Sequence, residues 1–410
     1  MKKISKLFSV VLVLAMVLSL CACGNAAAGT TAATQSDKLG ETVVKAGFIC
    51  LHDENSTYDK NFIDAAKATC EALGIEYVIK TGIPEGQECY QTACDLVDEG
   101  CNFIFADSFG HEDYIIEAAK KFPEVQFAHA TGTKAHTENL SNYHNAFASI
   151  YEGRYLAGVV AGLKLQEMID NGEITADQAK VGYVGAYTYA EVISGYTSFF
   201  LGVRSIVPEA TMEVTFTGSW YDETAEKEGA QKLIDDGCVL LSQHADSMGA
   251  PTACETAGVY DVSYNGSTAS ACPNTFLVSS KINWSPYFEY CITAISNGED
   301  FATDYIGSIA TGSVELTDLG SAVAEGTEEK VAEVKAALES GDLHVFDITT
   351  FTVGGEELST YMADVDTDPA YEGDHEVIVD GFFNESAVAF RSAPFFDVRI
   401  DGITLLDEQY

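Results

Sequence analysis

Three short segments carry the side chains best able to do chemistry. Gly218-Ser219-Trp220-Tyr221-Asp222 sets one of the chain's two tryptophans just after an apolar run. A flat indole in that place either stacks on an aromatic or sugar ring, worth about 1–3 kcal/mol for a base, or packs between a loop and a helix. Gln243-His244-Ala245-Asp246-Ser247 crowds hydrogen-bonding side chains onto the end of an apolar strand. A cleft that orients a polar ligand needs such groups, although Asp246 or Ser247 is equally suited to cap the next helix. In Ser108-Phe109-Gly110-His111-Glu112-Asp113, Phe109 offers a ring face and Asp113 an N-cap for a helix from Tyr114. Lys281-Ile282-Asn283-Trp284 puts a cation and the second tryptophan near another strand end.

These residues suit holding a flat, polar molecule; none of them makes an enzyme. G-x-S-x-G, H-E-x-x-H and cysteine–histidine metal spacings are absent from the sequence. His129, His136 and His144 read as scatter among eight histidines, not as a triad. Asp364-x-Asp366-x-Asp368 begins like a calcium loop, but Pro369 stands at the required glycine and His375 at the bidentate acid. With neither G-x-G-x-x-G nor a Walker sequence, and no glycine in Asn55–Asn61, nucleotide phosphates are not the target. The expectation is a binding protein without catalytic residues, cofactor or metal.

Apolar runs and helical spacings alternate along the chain. Strands are expected at Val43–Cys50, Ile75–Lys80, Phe103–Ala106 and Val125–Ala130, with helices at Asn61–Leu73, Glu85–Glu99 and Tyr114–Lys121 between them. A second series opens where Lys180–Gly185 echoes Lys45–Cys50. It continues through Met212–Phe216, Thr224–Asp236, Val239–Gln243 and Pro251–Ala257. This order argues for two similar βαβ lobes with parallel sheets, and the small-residue helix Tyr151–Leu163 suits tight packing where they meet. Ligands in such sheets lie beyond the carboxyl ends of the strands. That rule selects the loops 52–61, 107–113, 129–133, 186–191, 218–222, 243–249 and 265–267.

Lys2, Lys3 and Lys6, an apolar run from Leu7 to Leu20, and Leu20-Cys21-Ala22-Cys23-Gly24 read as an export signal over 1–22 ending in a lipobox. The mature chain is then expected to start at a diacylated Cys23, two acyl chains being enough to hold it on an outer membrane surface. Residues 23–42 would form a tether. The 63 acidic against 22 basic residues, a formal net charge of -41, oppose binding to nucleic acid or other anions. The nine thiols from Cys50 to Cys291 include no C-x-x-C and are read as buried small hydrophobes.

The lipobox, Ser108-Phe109-Gly110, Lys121-Phe122-Pro123-Glu124-Val125-Gln126-Phe127, Tyr151-Glu152-Gly153-Arg154-Tyr155-Leu156-Ala157-Gly158 and the Trp220 and Gln243 segments together resemble the basic membrane protein family. These are substrate-binding lipoproteins of ABC importers, and the resemblance runs from about Lys45 to Val345. It implies an α/β type I periplasmic-binding-protein fold: two doubly wound parallel-sheet lobes on a hinge that close on a purine base or nucleoside. Lobe 1 would take 43–150 with part of 281–308 and lobe 2 would take 151–280 with part of 309–345; 346–410 lies outside the resemblance, and its alternating, aromatic-rich runs Val377–Phe383, Ala387–Arg391 and Phe395–Ile400 are expected to be short strands of a β-rich C-terminal extension. The resemblance suggests Tyr58 and Phe109 or Trp220 against the ring, and Asp113, Gln243, Asp246 and Lys281 as polar contacts. The implied partners are a small-molecule ligand, an ABC permease and the membrane. Tyr264-Asn265-Gly266-Ser267-Thr268 departs from the family where an acidic residue would grip ribose, which favours a nucleobase or another small aromatic or furanose-like solute. The alternatives are a receptor feeding a signalling system and a nucleoside hydrolase.

Overall fold

The computed structural model describes residues 39–365, 375–385 and 390–407. The export signal, Cys23, most of the tether, and Asp366 and Asp368 lie outside the described residues. Lobe 1 alternates β1 (Lys45–Ile49), α1 (Thr57–Leu73), β2 (Glu76–Lys80), α2 (Gln87–Asp98), β3 (Phe103–Ala106), α3 (Glu112–Lys121), β4 (Gln126–Ala130) and β5 (Tyr143–Ala148). Lobe 2 alternates α4 (Ile150–Asp170), β6 (Lys180–Gly185), α5 (Ala190–Arg204), β7 (Thr211–Phe216), α6 (Glu223–Asp235), β8 (Leu240–His244), α7 (Gly249–Ala257), β9 (Tyr260–Tyr264) and β10 (Phe276–Ile282). The chain then returns as α8 (Ser285–Asn297) and β11 (Asp304–Gly307) to lobe 1, and as β12 (Val314–Leu316) and α9 (Thr327–Ser340) to lobe 2.

The first sheet has the order β11-β5-β4-β3-β1-β2 and is parallel throughout. The second contains β12-β10-β9-β8-β6-β7, with only β12 antiparallel. Parallel strands covered on both faces are buried along their whole length, as the apolar β3 is and as β8 is although it carries Ser242, Gln243 and His244. The β5–α4, β10–α8 and β11–β12 connections cross between the sheets, so the lobes are joined by several strands of chain at one side.

Two expectations are corrected here. The small-residue helix does not join the lobes; α4 packs on α5 of its own lobe, where a Cβ at Gly158 would lie 2.0 Å from the Phe199 carbonyl oxygen. Among the described residues the C-terminal segment is mostly irregular rather than β-rich, although Val377–Phe383 does hold a short strand pair and Ala387–Ala389 lie outside the described residues. Its strands are the two-residue β13 (Met362–Ala363), β14 (His375–Glu376), β15 (Ile378–Val379) and β16 (Phe382–Phe383), followed by β17 (Ile403–Leu405), which extends the second sheet beside β7. Residues 395–400 alternate buried and exposed after Phe396 but pair with no strand. All nine cysteines from Cys50 to Cys291 are buried and unpaired.

Candidate functional site

The carboxyl ends of β1, β3, β4, β6, β7, β8 and β9 converge on a cavity of about 360 Å³, counting the part open to solvent. Lobe 1 contributes Leu51, His52, Tyr58, Asp59, Ser108, Phe109 and Thr131. Glu191, Trp220, His244, Asp246 and Tyr264 come from lobe 2. Every loop selected by the strand-end rule reaches this space except 265–267, whose neighbour Tyr264 does.

Helix α1 fixes one wall. Ser56 is its N-cap, accepting from the Asp59 amide at 3.2 Å and donating to Asp59 Oδ2 at 2.6 Å. Asp59 also accepts from the His52 amide at 2.7 Å and has His52 Nδ1 3.3 Å away. Burial alone would raise the pKa of this carboxyl, but the hydrogen bonds from His52 and Ser56 outweigh it and hold the group below its ordinary value. Beside Asp59 in the same turn, Tyr58 donates to the Asp107 carbonyl oxygen at 2.7 Å, which pins its ring edge-on to Phe62. Asp107 itself is fully buried, and desolvation followed by the charge of Asp59 pushes its pKa well up.

The opposite wall is aromatic. Trp220 sits on Tyr187 (ring centroids 5.0 Å apart, 67° between planes), Tyr187 stacks on Tyr189 at 5.1 Å, and Tyr189 crosses to Phe109 of lobe 1 at 5.2 Å. Trp220 is half-buried, so it both packs and keeps a face on the cavity. Behind it His244 lies 4.4 Å from Tyr264 between ring centroids and 3.4 Å from Glu191 Oε1. Burial lowers the His244 pKa despite the nearby carboxylate of Glu191. Arg154, fully buried in α4, donates to the Gln243 carbonyl oxygen at 2.9 Å and bonds the Tyr183 hydroxyl, with its guanidinium over the Tyr264 ring. This arginine braces the end of β8 from below.

The alternative of Asp246 or Ser247 as helix cap is resolved by the geometry. Neither is the N-cap of α7, a place taken by Met248 without a side-chain cap bond; Ser247 Oγ accepts the Gly249 amide at 3.1 Å, and Asp246 lines the cavity. Glu226 of α6 holds the same loop, accepting the Ser247 amide at 3.2 Å and the Asp222 amide at 3.1 Å. Glu112 does the equivalent in lobe 1, accepting the Thr133 and Lys134 amides at 2.8 and 2.9 Å. Burial first, then the charges of Asp59, Glu226 and Glu191, raises the Asp246 pKa well above the ordinary value. The raised pKa favours the protonated form, in which a carboxyl can both donate and accept a hydrogen bond.

Of the seven candidate ligand contacts, Tyr58, Phe109, Trp220 and Asp246 are brought together around the cavity. Asp113, Gln243 and Lys281 are outside it. Asp113 lies in the first turn of α3, paired with Lys134 at 2.5 Å. Gln243 turns inward, its amide donating to the Ala245 and Ser247 carbonyl oxygens at 2.9 and 3.3 Å. Strand β10 continues past Val278 to Ile282, so Lys281 sits on it and pairs with Glu315 at 3.2 Å. Trp284 is also core, stacked 4.5 Å from Phe62. Leu51, His52, Asp59, Thr131, Glu191 and Tyr264 are not marked out by residue type; position at a strand end is the signal that finds them.

A family profile described as ABC transporter substrate-binding protein, PnrA-like, matches residues 49–341. The chain is 30% identical over 311 residues to a purine-binding protein of Brucella abortus, covering 75% of this chain and 84% of that one. It is also 30% identical over 255 residues to a Haloferax volcanii protein described as an ABC transporter glucose-binding protein, covering 62% of this chain and 61% of the relative. Among solved structures, an ABC transporter solute-binding protein from Conexibacter woesei superposes with a TM-score of 0.60 at 21% identity, over 74% of this chain and 98% of that one.

Proposed function

The chain belongs to the PnrA-like family of ABC transporter substrate-binding proteins, and from that premise we propose that its ligand is a purine base or nucleoside held in the cavity between the lobes. Members of this family bind a small molecule outside the cytoplasm and deliver it to a permease; they are not enzymes. The purine assignment rests on one arrangement above all: Trp220, Tyr58 and Phe109 surround a cavity in which, beside His52, Ser108, Thr131, Glu191 and His244, two carboxyls are held in opposite senses, the pKa of Asp59 lowered and that of Asp246 raised. Rings supply stacking, and the two carboxyls supply an acceptor on one side and a donor–acceptor on the other. The 30% identity to a purine-binding protein supports the same assignment.

Lipid anchoring through Cys23 is part of the proposal, from the sequence alone. It is tested by mass spectrometry of the membrane-extracted protein: a diacylglyceryl group on Cys23 is expected, and a soluble chain with a free N-terminus further along would overturn it. The ligand is tested by isothermal titration of mature protein carrying Cys23→Ser with adenine, hypoxanthine, guanine and their nucleosides. Saturable one-to-one binding of a purine without turnover is expected. The likeness to a glucose-binding relative makes glucose the second arm, and binding of glucose with silence towards every purine would replace the assignment.

A further inference from the structure

A larger chamber of about 1,020 Å³, again counting its open part, adjoins the first and shares Phe109, Thr131 and Glu191 with it. Its third wall comes from neither lobe. It is made by residues 391–399 of the C-terminal segment together with Asp364, and 391–399 lie beyond the part of the chain that the family profile matches. We propose that this segment forms a second subsite, joined to the ring cavity, that receives a neutral hydroxyl-bearing substituent carried by the ligand.

The wall is built to stay in place. Ser392 donates its amide to Asp304 Oδ1 of the first sheet at 2.8 Å, while β17 is hydrogen-bonded to β7 of the second. Arg391 is buried, and its guanidinium donates to the Ala393 and Pro394 carbonyl oxygens at 3.3 and 2.7 Å, fixing the turn. Phe395 and Phe396 are buried beneath, so Asp397 and Arg399 face outward from the alternating segment and line the chamber. Arg399 touches the Tyr196 hydroxyl at 3.4 Å, and Asp397 accepts from Tyr361.

The lining decides the ligand class. Glu191, Asp364 and Asp397 outnumber Arg391 and Arg399, which opposes an anionic group such as phosphate. Thr131, Thr133 and Thr188 add hydroxyls, and Tyr189 adds a ring face. Hydroxyl groups both donate and accept, so a sugar can meet carboxylates, a guanidinium and threonines at once. Grip on the sugar would then come from the C-terminal segment, offsetting the missing carboxylate at the exposed Ser267.

The inference rests on the purine assignment, and the test separates the two. Mature protein with Cys23→Ser, and the same protein with Arg399→Ala or Asp397→Asn, is titrated with a purine base and with its nucleoside. Wild-type protein is expected to favour the nucleoside. In each variant the nucleoside-to-base affinity ratio should fall about tenfold while base affinity and melting temperature hold, a loss of about 1.4 kcal/mol. An unchanged ratio, or equal losses for both ligands, overturns the subsite and leaves the purine assignment standing. Silence of wild-type protein towards both ligands overturns the two together.

Discussion

The Asp246 carbonyl oxygen accepts hydrogen bonds from both the amide and the hydroxyl of Thr57, at 3.1 and 3.3 Å, across 189 residues of sequence. Thr57 opens α1 in lobe 1 and Asp246 follows β8 in lobe 2, so this is a direct clasp between lobes at the rim of the cavity. Asn61 and Asn265 add a second contact at 3.4 Å beside it. A ligand that binds between the lobes draws its affinity partly from such closure contacts, because they form only in the shut state.

Removing one clasp bond should weaken capture without harming the fold. Thr57→Ala deletes the hydroxyl bond but keeps the amide bond, a loss of about 0.5–1.5 kcal/mol. Ligand affinity is expected to drop by a factor of about 2–13 through faster release. Stopped-flow dissociation and titration read this; an unchanged release rate would show that closure does not depend on the clasp.

Trp220→Ala removes the principal ring face. If the ligand stacks there, about 1–3 kcal/mol is lost and affinity falls by roughly 5- to 150-fold, while the circular dichroism spectrum stays native because Trp220 is only half-buried. Trp220→Phe should recover part of the loss. Full affinity in Trp220→Ala would assign the indole to packing.

Asp246→Asn tests the protonation state of the buried carboxyl. An amide keeps a donor and an acceptor in place of the neutral acid, so binding should survive within a few-fold, whereas Asp246→Leu should lose it. If the asparagine variant is as inactive as the leucine variant, the carboxyl works as an anion and the donor role fails.

Glu226 gives the fold a pH dependence of defined sign. Burial raises its pKa to about 7 in the folded protein, against an ordinary value of 4.5. A raised folded pKa means its contribution is fully present below 4.5 and is lost as pH climbs through about 7. Melting temperature should therefore decline across that interval, and Glu226→Gln should flatten the decline. Parallel profiles for the two proteins would assign the titration to other groups.

The alternating fold was legible because strands such as Phe103–Ala106 and Lys180–Gly185 are short apolar runs between helices of clear period, and both were placed to the residue. Phe109, Trp220 and Asp246 lie at the cavity on loops that follow strand ends, whereas Tyr58, also at the cavity, was suggested by the family resemblance. The two tryptophans show the limit of residue type as a guide: Trp220 follows a strand that has ended, but Trp284 enters lobe 1 after a crossing and is core. Gln243 misled for a related reason, since a polar side chain on a wholly buried strand can turn its amide nitrogen onto the carbonyl oxygens of its own turn. In residues 395–400 the alternation reported one-sided burial, and pairing needs a partner strand that the sequence of the segment does not supply.

The buried, unpaired thiols have a practical consequence. Burial raises the pKa of Cys50, Cys70, Cys89, Cys101, Cys238, Cys254, Cys272 and Cys291 above that of an ordinary thiol, so they present almost no reactive thiolate. Dyes attached through cysteines introduced by Asn55→Cys in lobe 1 and Ser267→Cys in lobe 2, both exposed positions beside the clasp, would label the chain without stripping its native cysteines. The molecule is thereby suited to serve as its own optical gauge, reporting the opening and shutting of the cleft as a change in the distance between two fluorophores.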